Sequence, residues 1–258
     1  MRLKLEGRIV SRPYIEMTLD IMRTFGAKAG WVAEDCICVE PGGYAPVPYY
    51  VESDWSAASY WYEMVALSPD ADACVELPGL FARSLQGDSA VSGLFSMLGV
   101  CSEHYMTDEG LECVRLHKGG TIQERMEHDF THQPDLAQTL VATCCAMGVP
   151  FRFSGLESLK IKETDRIHAL RTELGKFGFM IEEPEEGTLC WEGNRGEVQP
   201  DATVDTYEDH RMAMALAPLS ARLGGMRMND PEVVSKSYPQ FWAHLRNVGF
   251  IIEEESLC

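Results

Sequence analysis

A run of charged residues stands directly before a segment with helical periodicity, and its composition suggests anion binding. The run contains the cations Lys160, Lys162 and Arg166, and either Thr164 or Asp165 is expected to cap the helix. Cations normally avoid a helix N-terminus, because the helix dipole is positive there. Their presence is explained if an anion is held jointly by these side chains and by free backbone amides. A solvated cluster of surface charges is the simpler alternative.

The same combination of an acidic cap and nearby cations recurs at a second predicted helix start. Asp209 is the expected cap, and His210 and Arg211 fall in the first helical turn. A capped surface helix is the alternative, but two such starts in one acidic chain favour an anion site. Lys236 precedes Pro239, which suits a first helical position, and would place another cation at a helix start.

We consider Asp135 as a general base; it follows His-Gln-Pro at the start of a helix of small residues. A general base must lie within hydrogen-bond reach of the proton that it removes. A purely structural helix cap is the alternative interpretation. Asp54 and Asp209 open similar helices and are also expected to be caps.

Neither a metal nor an organic cofactor is expected. His128 and His132 are four residues apart, but Pro134 argues against a helix that would present both on one face, and no third ligand is evident. The chain contains no P-loop, no G-x-G-x-x-G after a strand and no G-x-S-x-G elbow. Nucleotide binding and serine hydrolysis therefore lose support.

Internal repeats indicate how the candidate residues are positioned. Four amphipathic segments each end in a glycine that precedes an apolar run, and these glycines are 73, 79 and 71 residues apart. They are Gly26, Gly99, Gly178 and Gly249. The acid-capped helices recur after 81 and 74 residues. Apolar runs within 100–117 and 179–193, each broken by a polar turn, predict β-hairpins. The pattern predicts an α/β (α+β) fold of repeated β-α-β-α-β-β units.

The number of helices of each kind suggests where the repeats begin. There are four glycine-ended helices but three acid-capped ones, so the chain starts halfway through a unit. We therefore expect residues 1–50 to continue a unit that begins upstream, and residues 51–258 to hold three whole units. The turn-rich stretch 41–48 marks the expected join.

The composition excludes several classes of protein. The 258 residues carry a net charge of −18, which repels nucleic acid and anionic lipid, so neither is an expected partner. The nine cysteines include no C-x-x-C pair, and we expect buried, unpaired thiols in a reducing cytoplasm. The N-terminus has no signal core, and the longest near-apolar stretch, 140–151, is too short to span a bilayer. A cytoplasmic monomer is expected.

Seven separated motifs, in order along nearly the whole chain, carry a resemblance to a known family. They are Val10-Ser11-Arg12-Pro13-Tyr14, the stretch 51–60 (VESDWSAASY), Ser84-Leu85-Gln86-Gly87-Asp88, Pro134-Asp135, Lys162-Glu163-Thr164-Asp165-Arg166, Asp209-His210-Arg211-Met212-Ala213-Met214 and Ser235-Lys236-Ser237-Tyr238-Pro239. Together they resemble the EPSP synthase family, the 3-phosphoshikimate 1-carboxyvinyltransferases. The resemblance implies the enolpyruvyl transferase fold, with two lobes of three units each. Residues 1–50 would then be the last part of the N-terminal, shikimate-phosphate lobe, and 51–258 the C-terminal lobe.

The resemblance also implies a reaction and a role for each matching residue. The enolpyruvyl group of phosphoenolpyruvate would pass to the 5-hydroxyl of shikimate 3-phosphate by addition and elimination, with release of phosphate. The implied catalytic residues are Asp135 as base, in a cleft expected to raise its pKa, with Glu163 and Lys162 as proton carriers. The implied phosphoenolpyruvate contacts are Lys162, Arg166, Arg211 and Lys236. The implied shikimate 3-phosphate contacts are Ser11, Tyr14, Asp135, Ser158 and Lys162, and His210 lies beside the clamp.

The chain departs from the family pattern in two ways. Ser158 stands where many relatives have Asn, and the family's N-terminal Lys-Ser, Arg and Ser-Ser-Gln contacts have no counterpart in this sequence. The chain alone is therefore expected to be inactive. The alternatives are a nucleotide-sugar enolpyruvyl transferase, which shares the fold, and a lobe that has lost its chemistry.

Overall fold

The computed structural model describes residues 1–254, and the first forty residues form a small sheet with one helix against it. The elements are β1 (Arg2–Lys4), α1 (Arg12–Thr24), β2 (Ala29–Ala33) and β3 (Cys36–Val39). The antiparallel sheet has the order β1-β3-β2. Its core consists of Leu19, Ala29 and Ile37. Residues 40–54 contain neither helix nor strand.

The next unit is one helix layer against an antiparallel sheet. Its elements are α2 (Trp55–Leu67), β4 (Cys74–Pro78), α3 (Val91–Ser96), β5 (Leu98–Met106) and β6 (Glu112–Ile122). The sheet order is β4-β6-β5. The hairpin expected within 100–117 is confirmed by β5 and β6. No strand lies between β3 and α2, although the Ser53 N–H donates to Gly79 O, directly after β4, at 2.9 Å.

The middle unit has the complete β-α-β-α-β-β order. Its elements are β7 (Met126–Asp129), α4 (Ala137–Met147), β8 (Phe151–Ser154), α5 (Arg166–Lys176), β9 (Glu182–Glu185) and β10 (Thr188–Trp191). Strands β7 and β8 are parallel, and the sheet order is β7-β8-β10-β9. The helix ending before Gly178 and the hairpin within 179–193 are both confirmed.

The last unit is shorter than the repeat predicts. Its elements are β11 (Thr203–Val204), α6 (His210–Leu216), α7 (Ser220–Leu223), β12 (Arg227–Met228) and α8 (Phe241–Asn247). Only two residue pairs join β11 to β12. Residues 250–254 form no strand, and the end of the expected third unit at 255–258 lies outside the described residues. Among residues 1–254, only the middle unit shows the complete order of strands and helices, and the expectation of three whole units stays a prediction.

Three helices pack together inside the larger part of the molecule and position the site. Ser59 Oγ on α2 lies 3.1 Å from Thr139 Oγ1 on α4, and α4 also packs on α6. All three helices are buried over nearly their whole length, which explains their apolar sequences. Within residues 1–254, no helix has both the length and the apolar character needed to cross a bilayer.

The helix ends agree with the sequence pattern in part. Gly26, Gly178 and Gly249 follow the C-caps of α1, α5 and α8 and have positive φ angles, as a helix-closing glycine requires. Gly99 also has a positive φ angle, but it lies within β5, so its expected place at a helix end is wrong. The Asp54 and Asp209 carboxylates accept backbone N–H bonds and are confirmed as caps. Asp135 instead lies within the 3-10 helix Pro134–Leu136 that precedes α4, and its carboxylate bonds to side chains. The prediction that Asp135 is a cap is therefore wrong.

The cysteines are unpaired in the described chain, but they are not all buried. Four of the eight described cysteines are buried, namely Cys113, Cys144, Cys145 and Cys190, whereas Cys74 is exposed. The ninth, Cys258, lies outside the described residues. Burial as small hydrophobic side chains therefore explains only part of the set.

Candidate active site

Asp135 lies among three positive side chains. Its Oδ1 is 3.0 Å from Arg166 Nη1 and 3.5 Å from Lys162 Nζ, and its Oδ2 is 3.0 Å from Arg211 Nη2. Burial raises the pKa of Asp135, but the charges of Arg211, Lys162 and Arg166 outweigh that effect and hold the pKa below its ordinary value. The expectation of a raised pKa is wrong for this state, because it considered approaching anions and not the cations already in contact.

Arg166 is the buried centre of the site, with a side chain only 1% exposed. Its Nη1 donates to Asp135 as described. Its Nη2 donates to Glu163 Oε2 at 2.8 Å, and its Nε donates to Asp209 Oδ2 at 2.7 Å. A guanidinium that is removed from water needs charged partners in good geometry. Here the N–H donors of Arg166 are satisfied by three carboxylates.

Glu163 connects Arg166 to the most exposed cation of the site. Its Oε1 accepts from Lys236 Nζ at 2.6 Å. This bond and the charge of Arg166 outweigh partial burial and lower the pKa of Glu163 to about 2. Lys236 is the last residue of the 3-10 helix Pro231–Lys236, and α8 begins only at Phe241. The expected helix start at Lys236 is therefore wrong, and the lysine sits at the helix end that favours a cation.

The N-terminus of α6 contributes Asp209, His210 and Arg211. Asp209 is fully buried, and its Oδ1 accepts the Arg211 backbone N–H at 2.9 Å. Burial and the neighbouring Arg211 charge lower the pKa of His210, so its imidazole is neutral at pH 7. Tyr60 on α2 lies beside the Arg211 guanidinium, and its burial raises the pKa of the phenol to about 12.

The helix α1 meets the site through Tyr14. The Tyr14 phenol lies beside Asp88, and burial together with that carboxylate raises the pKa of Tyr14 well above its ordinary value. Asp88 is buried and accepts from the Ser56 hydroxyl, and burial raises its pKa. Ser11 precedes α1 with φ 54°, and its backbone N–H donates to Thr131 O at 2.9 Å.

Ser158 and Lys160, which both precede Lys162 in the chain, have different surroundings. Ser158 Oγ is buried and has no hydrogen-bond partner in residues 1–254. Lys160 points to Glu183 on the hairpin, with Nζ 2.8 Å from Oε1. Lys160 therefore does not join the other cations, contrary to the grouping expected from the sequence.

The structure thus brings the four predicted anion-binding cations into contact with shared carboxylates. We call this set the charge cluster; it consists of Asp135, Lys162, Glu163, Arg166, Asp209, Arg211 and Lys236. Exposure of the side chains increases from Arg166 at 1% through Lys162 at 32% to Lys236 at 55%. The two lysines are therefore the cations of the charge cluster most open to an approaching anion. Among residues 1–254, no three His, Cys, Asp or Glu side chains are grouped as metal ligands.

Sequence reasoning gave no role to two residues beside the charge cluster. Asp88 stands in a quoted motif, but nothing in its spacing shows that it reaches Tyr14 from another element. Tyr60 lies on a helix whose residues are almost all buried, and its sequence gives no sign of a polar contact. The partnership of Asp209 with Arg166 was also not expected, because a cap alone explains an aspartate at that position.

Comparison with known proteins identifies the family. The sequence profile of EPSP synthase (3-phosphoshikimate 1-carboxyvinyltransferase) matches residues 2–245, which is most of the chain. The chain belongs to the EPSP synthase family. A 3-phosphoshikimate 1-carboxyvinyltransferase from Bacteroides fragilis is 52% identical over 253 residues, covering 98% of this chain and 60% of the relative. One from Idiomarina loihiensis is 32% identical, covering 93% of this chain and 54% of the relative.

Solved structures agree on the EPSP synthase fold. An EPSP synthase from Acinetobacter baumannii superposes with a TM-score of 0.73 at 20% identity, over 98% of this chain and 57% of that one. The enolpyruvyl transferase NikO from Streptomyces tendae gives a TM-score of 0.59 at 15% identity, over 96% and 55%. The chain thus spans about 60% or less of the length of the relatives described here, and it contains the enolpyruvyl transferase fold over that length.

Proposed function

We propose that this chain supplies the charge cluster of an EPSP synthase, which transfers the enolpyruvyl group of phosphoenolpyruvate to the 5-hydroxyl of shikimate 3-phosphate. The observation that carries the proposal is that Asp135 contacts Lys162, Arg166 and Arg211 at once. Such an arrangement combines a candidate base with donors for multiply charged substrates. The family match supports the same chemistry.

Arg166, Arg211 and Lys236 form the proposed clamp for phosphoenolpyruvate. Arginine is suited to this role because its planar fork can bind a carboxylate or a phosphate through two parallel bonds. In the described state these cations are paired with Asp135 and Glu163. A bound substrate would take over part of those contacts with its own negative groups.

Asp135 is the proposed base for the attacking hydroxyl. The cations that contact it keep it ionised. When substrate anions take over Arg211 and Lys162, less positive charge remains to stabilise the Asp135 carboxylate, and its pKa rises. A higher pKa improves a carboxylate as a base, since proton transfer is most effective when the pKa approaches the working pH.

Lys162 and Glu163 are the proposed proton carriers. As the hydroxyl oxygen attacks C2 of phosphoenolpyruvate and loses its proton to Asp135, Lys162 donates a proton to the methylene carbon. Phosphate then leaves with the electrons of its C–O bond, and a methyl proton passes to Glu163 to restore the double bond. At its pKa of about 2 in the described state Glu163 is ionised but a weak base, and its basicity would rise if a substrate anion took over Lys236.

Ser11, Tyr14 and Ser158 are the proposed contacts of shikimate 3-phosphate. The unpartnered hydroxyl of Ser158 supports this role, because a buried polar group gains most from a ligand that satisfies it. Tyr14 remains protonated at all ordinary pH values and can donate its hydroxyl proton. His210, neutral and beside Arg211, is proposed to help position that arginine.

We also propose that residues 1–50 and 51–258 belong to different lobes of the enzyme. Two separate apolar clusters support this division. One contains Leu19, Ala29 and Ile37, whereas every buried member of the other lies at Trp55 or beyond. The substrates would then meet at the boundary, where α1 approaches Asp88.

Titration calorimetry of the full chain with phosphoenolpyruvate tests the proposed function. We expect measurable binding, and we expect Arg211→Ala to weaken it at least about tenfold, or about 1.4 kcal/mol. Arg125→Ala is the matched control, because Arg125 pairs with Glu192 and Glu127 outside the charge cluster. The control variant should bind like the wild type.

Three results would contradict the proposal. The wild-type chain could give no heat with either phosphoenolpyruvate or shikimate 3-phosphate, which would support a lobe without chemistry. Both arginine variants could weaken binding equally, which would indicate a nonspecific charge effect. Binding of a nucleotide sugar instead would support the other enolpyruvyl transferase reaction.

A further inference from the structure

The turn before α6 has a backbone conformation that its residues normally avoid. Tyr207 and Glu208 both have φ 56°, and the Asp209 N–H donates to Thr206 O at 2.9 Å. Two consecutive residues with positive φ inside such a four-residue turn are typical of type I′, which favours Asn-Gly. A tyrosine followed by a glutamate is strained there, so the surrounding structure must hold the turn in place.

The Tyr207 side chain provides that hold. Its hydroxyl donates to Glu173 Oε1 at 2.7 Å. Glu173 is fully buried on α5, and its other oxygen accepts from Lys176 Nζ at 2.7 Å and from the Asp205 N–H at 3.0 Å. Both oxygens of the Glu173 carboxylate therefore accept hydrogen bonds. Their donors lie in the turn, in the segment that leads into it and on α5.

The same face of α5 also binds the other end of the turn. Arg166 and Glu173 are seven residues apart, which is close to two helical turns, so their side chains lie on one face of α5. Arg166 bonds to Asp209 at the end of the turn, and Glu173 bonds to Tyr207 near its start. The strained turn is thus fixed to a single helix at two points.

We propose that Tyr207, through its hydrogen bond to Glu173, is a positioning residue for Asp209 and Arg211. The proposal rests on the proposed function, in which Arg211 binds phosphoenolpyruvate. If the hydroxyl is lost, the turn is released from Glu173 and relaxes towards negative φ. Asp209 then moves relative to Arg166, and the first turn of α6, which carries Arg211, shifts away from Asp135.

Tyr207→Phe is the variant that tests this proposal in the full chain. Amide hydrogen exchange of Asp209 and Arg211 should become at least about tenfold faster, because their N–H groups donate to Thr206 O and Asp209 Oδ1 within the turn and cap. The Kd for phosphoenolpyruvate should rise at least about fivefold. Tyr62→Phe is the matched control, since it removes another tyrosine hydroxyl, 2.8 Å from Ser102 Oγ, in a different unit. That control should change neither quantity.

A second variant separates positioning from a general effect on folding. The double substitution Tyr207→Asn with Glu208→Gly installs the residues that a type I′ turn prefers, so the turn no longer depends on Glu173. We expect it to restore slow exchange and phosphoenolpyruvate binding to within about twofold of the wild type, although the tyrosine hydroxyl is absent. A role limited to buried packing of Tyr207 would not be rescued in this way.

Two outcomes overturn the proposal. Unchanged exchange at Asp209 and Arg211 in Tyr207→Phe would show that the hydroxyl does not hold the turn. Failure of the double variant to restore exchange would show that the turn conformation is not what Tyr207 provides. If the wild-type chain binds no phosphoenolpyruvate, the proposed function fails, and the exchange rates alone still decide the effect of Tyr207 on the turn.

Discussion

Glu163 shows how strongly a residue in the charge cluster is tied to its neighbours. Its pKa of about 2 lies below the ordinary value of 4.5, because the ionised form is bound by Lys236 and Arg166. A carboxyl group with a lowered pKa in the folded state stabilises the fold above its unfolded pKa. This stabilisation is lost progressively as the pH falls from about 4.5 towards about 2.

In Glu163→Gln the free energy of unfolding should therefore fall less steeply at acidic pH than in the wild type. We expect the difference in unfolding free energy between wild type and variant to be largest at pH 6 and to shrink towards pH 3. Urea denaturation at both pH values measures it. Glu127→Gln is a suitable control, because Glu127 makes an ion pair with Arg125 at the surface. A constant difference between wild type and Glu163→Gln from pH 3 to pH 6 would contradict the pKa assignment.

The residues of the site differ in how far sequence reasoning could reach them. Lys162, Arg166 and Arg211 could be grouped, because cations near helix starts in an acidic chain need an explanation, whereas Lys236 was grouped with them for a helix start that the structure does not have. The direction of the pKa shift of Asp135 could not be predicted, since it depends on which charges come within 3.5 Å after folding. The hydrogen bond between Tyr207 and Glu173 could not be predicted from the sequence either. Neither residue is of a type that favours the turn that this bond supports.

The helix α2 contains a buried acid that the proposed reaction does not use. Glu63 is fully buried, and neither of its carboxyl oxygens has a hydrogen-bond partner in the described chain. The nearby Thr143 hydroxyl on α4 donates its proton to Thr139 O at 2.7 Å instead. Burial raises the pKa of Glu63 well above its ordinary value, so the carboxyl group resists ionisation between the helices.

Glu63→Gln should stabilise the protein at high pH. An acid with a raised pKa in the folded state stabilises the fold below its unfolded pKa, and this contribution is lost as the pH rises through the folded pKa. The amide cannot ionise, so the variant should gain on the order of 1 kcal/mol relative to wild type between pH 5 and pH 8. Urea unfolding at the two pH values measures the gain. A parallel pH dependence of both proteins would refute the assignment.

At the level of elements, patterns local in sequence were predicted well and long-range ones were not. The two hairpins and the helices before Gly26 and Gly178 follow from apolar spacing that local physics decides. The repeat pattern predicts a strand between β3 and α2 that the structure does not have, since sequence spacing does not show whether a segment finds a neighbouring strand to bond. Lys160 was misplaced for a similar reason, since its partner Glu183 lies on a hairpin further along the chain.

The whole molecule contains a stretch without regular structure between its two apolar clusters. Residues 40–54 have no helix or strand, and Tyr44 and Tyr50 within them are 66% and 55% exposed. Polar contacts join the first forty residues to the rest, including Arg8 to Glu157 at 2.8 Å. Such a segment is a preferred site for a protease, because cleavage requires little unfolding.

Limited proteolysis with chymotrypsin should therefore cut first at Tyr44, Tyr49 or Tyr50. Mass spectrometry should find one large fragment that begins between residues 45 and 51 and resists further digestion. Tyr62 and Tyr60, which are buried, serve as internal controls and should remain uncut. Early cleavage at those two positions would show that the larger apolar cluster does not persist by itself, and would contradict the proposed division into lobes.

Arg166 has a consequence for the order in which the molecule assembles. Its guanidinium leaves water favourably only when Asp135, Glu163 and Asp209 have all arrived, and these acids come from segments up to 74 residues apart in the chain. Closing such long loops is slow compared with the formation of single helices. The charge cluster should accordingly form last, after α4, α5 and α6 have docked, and a nascent or partly folded chain would lack it.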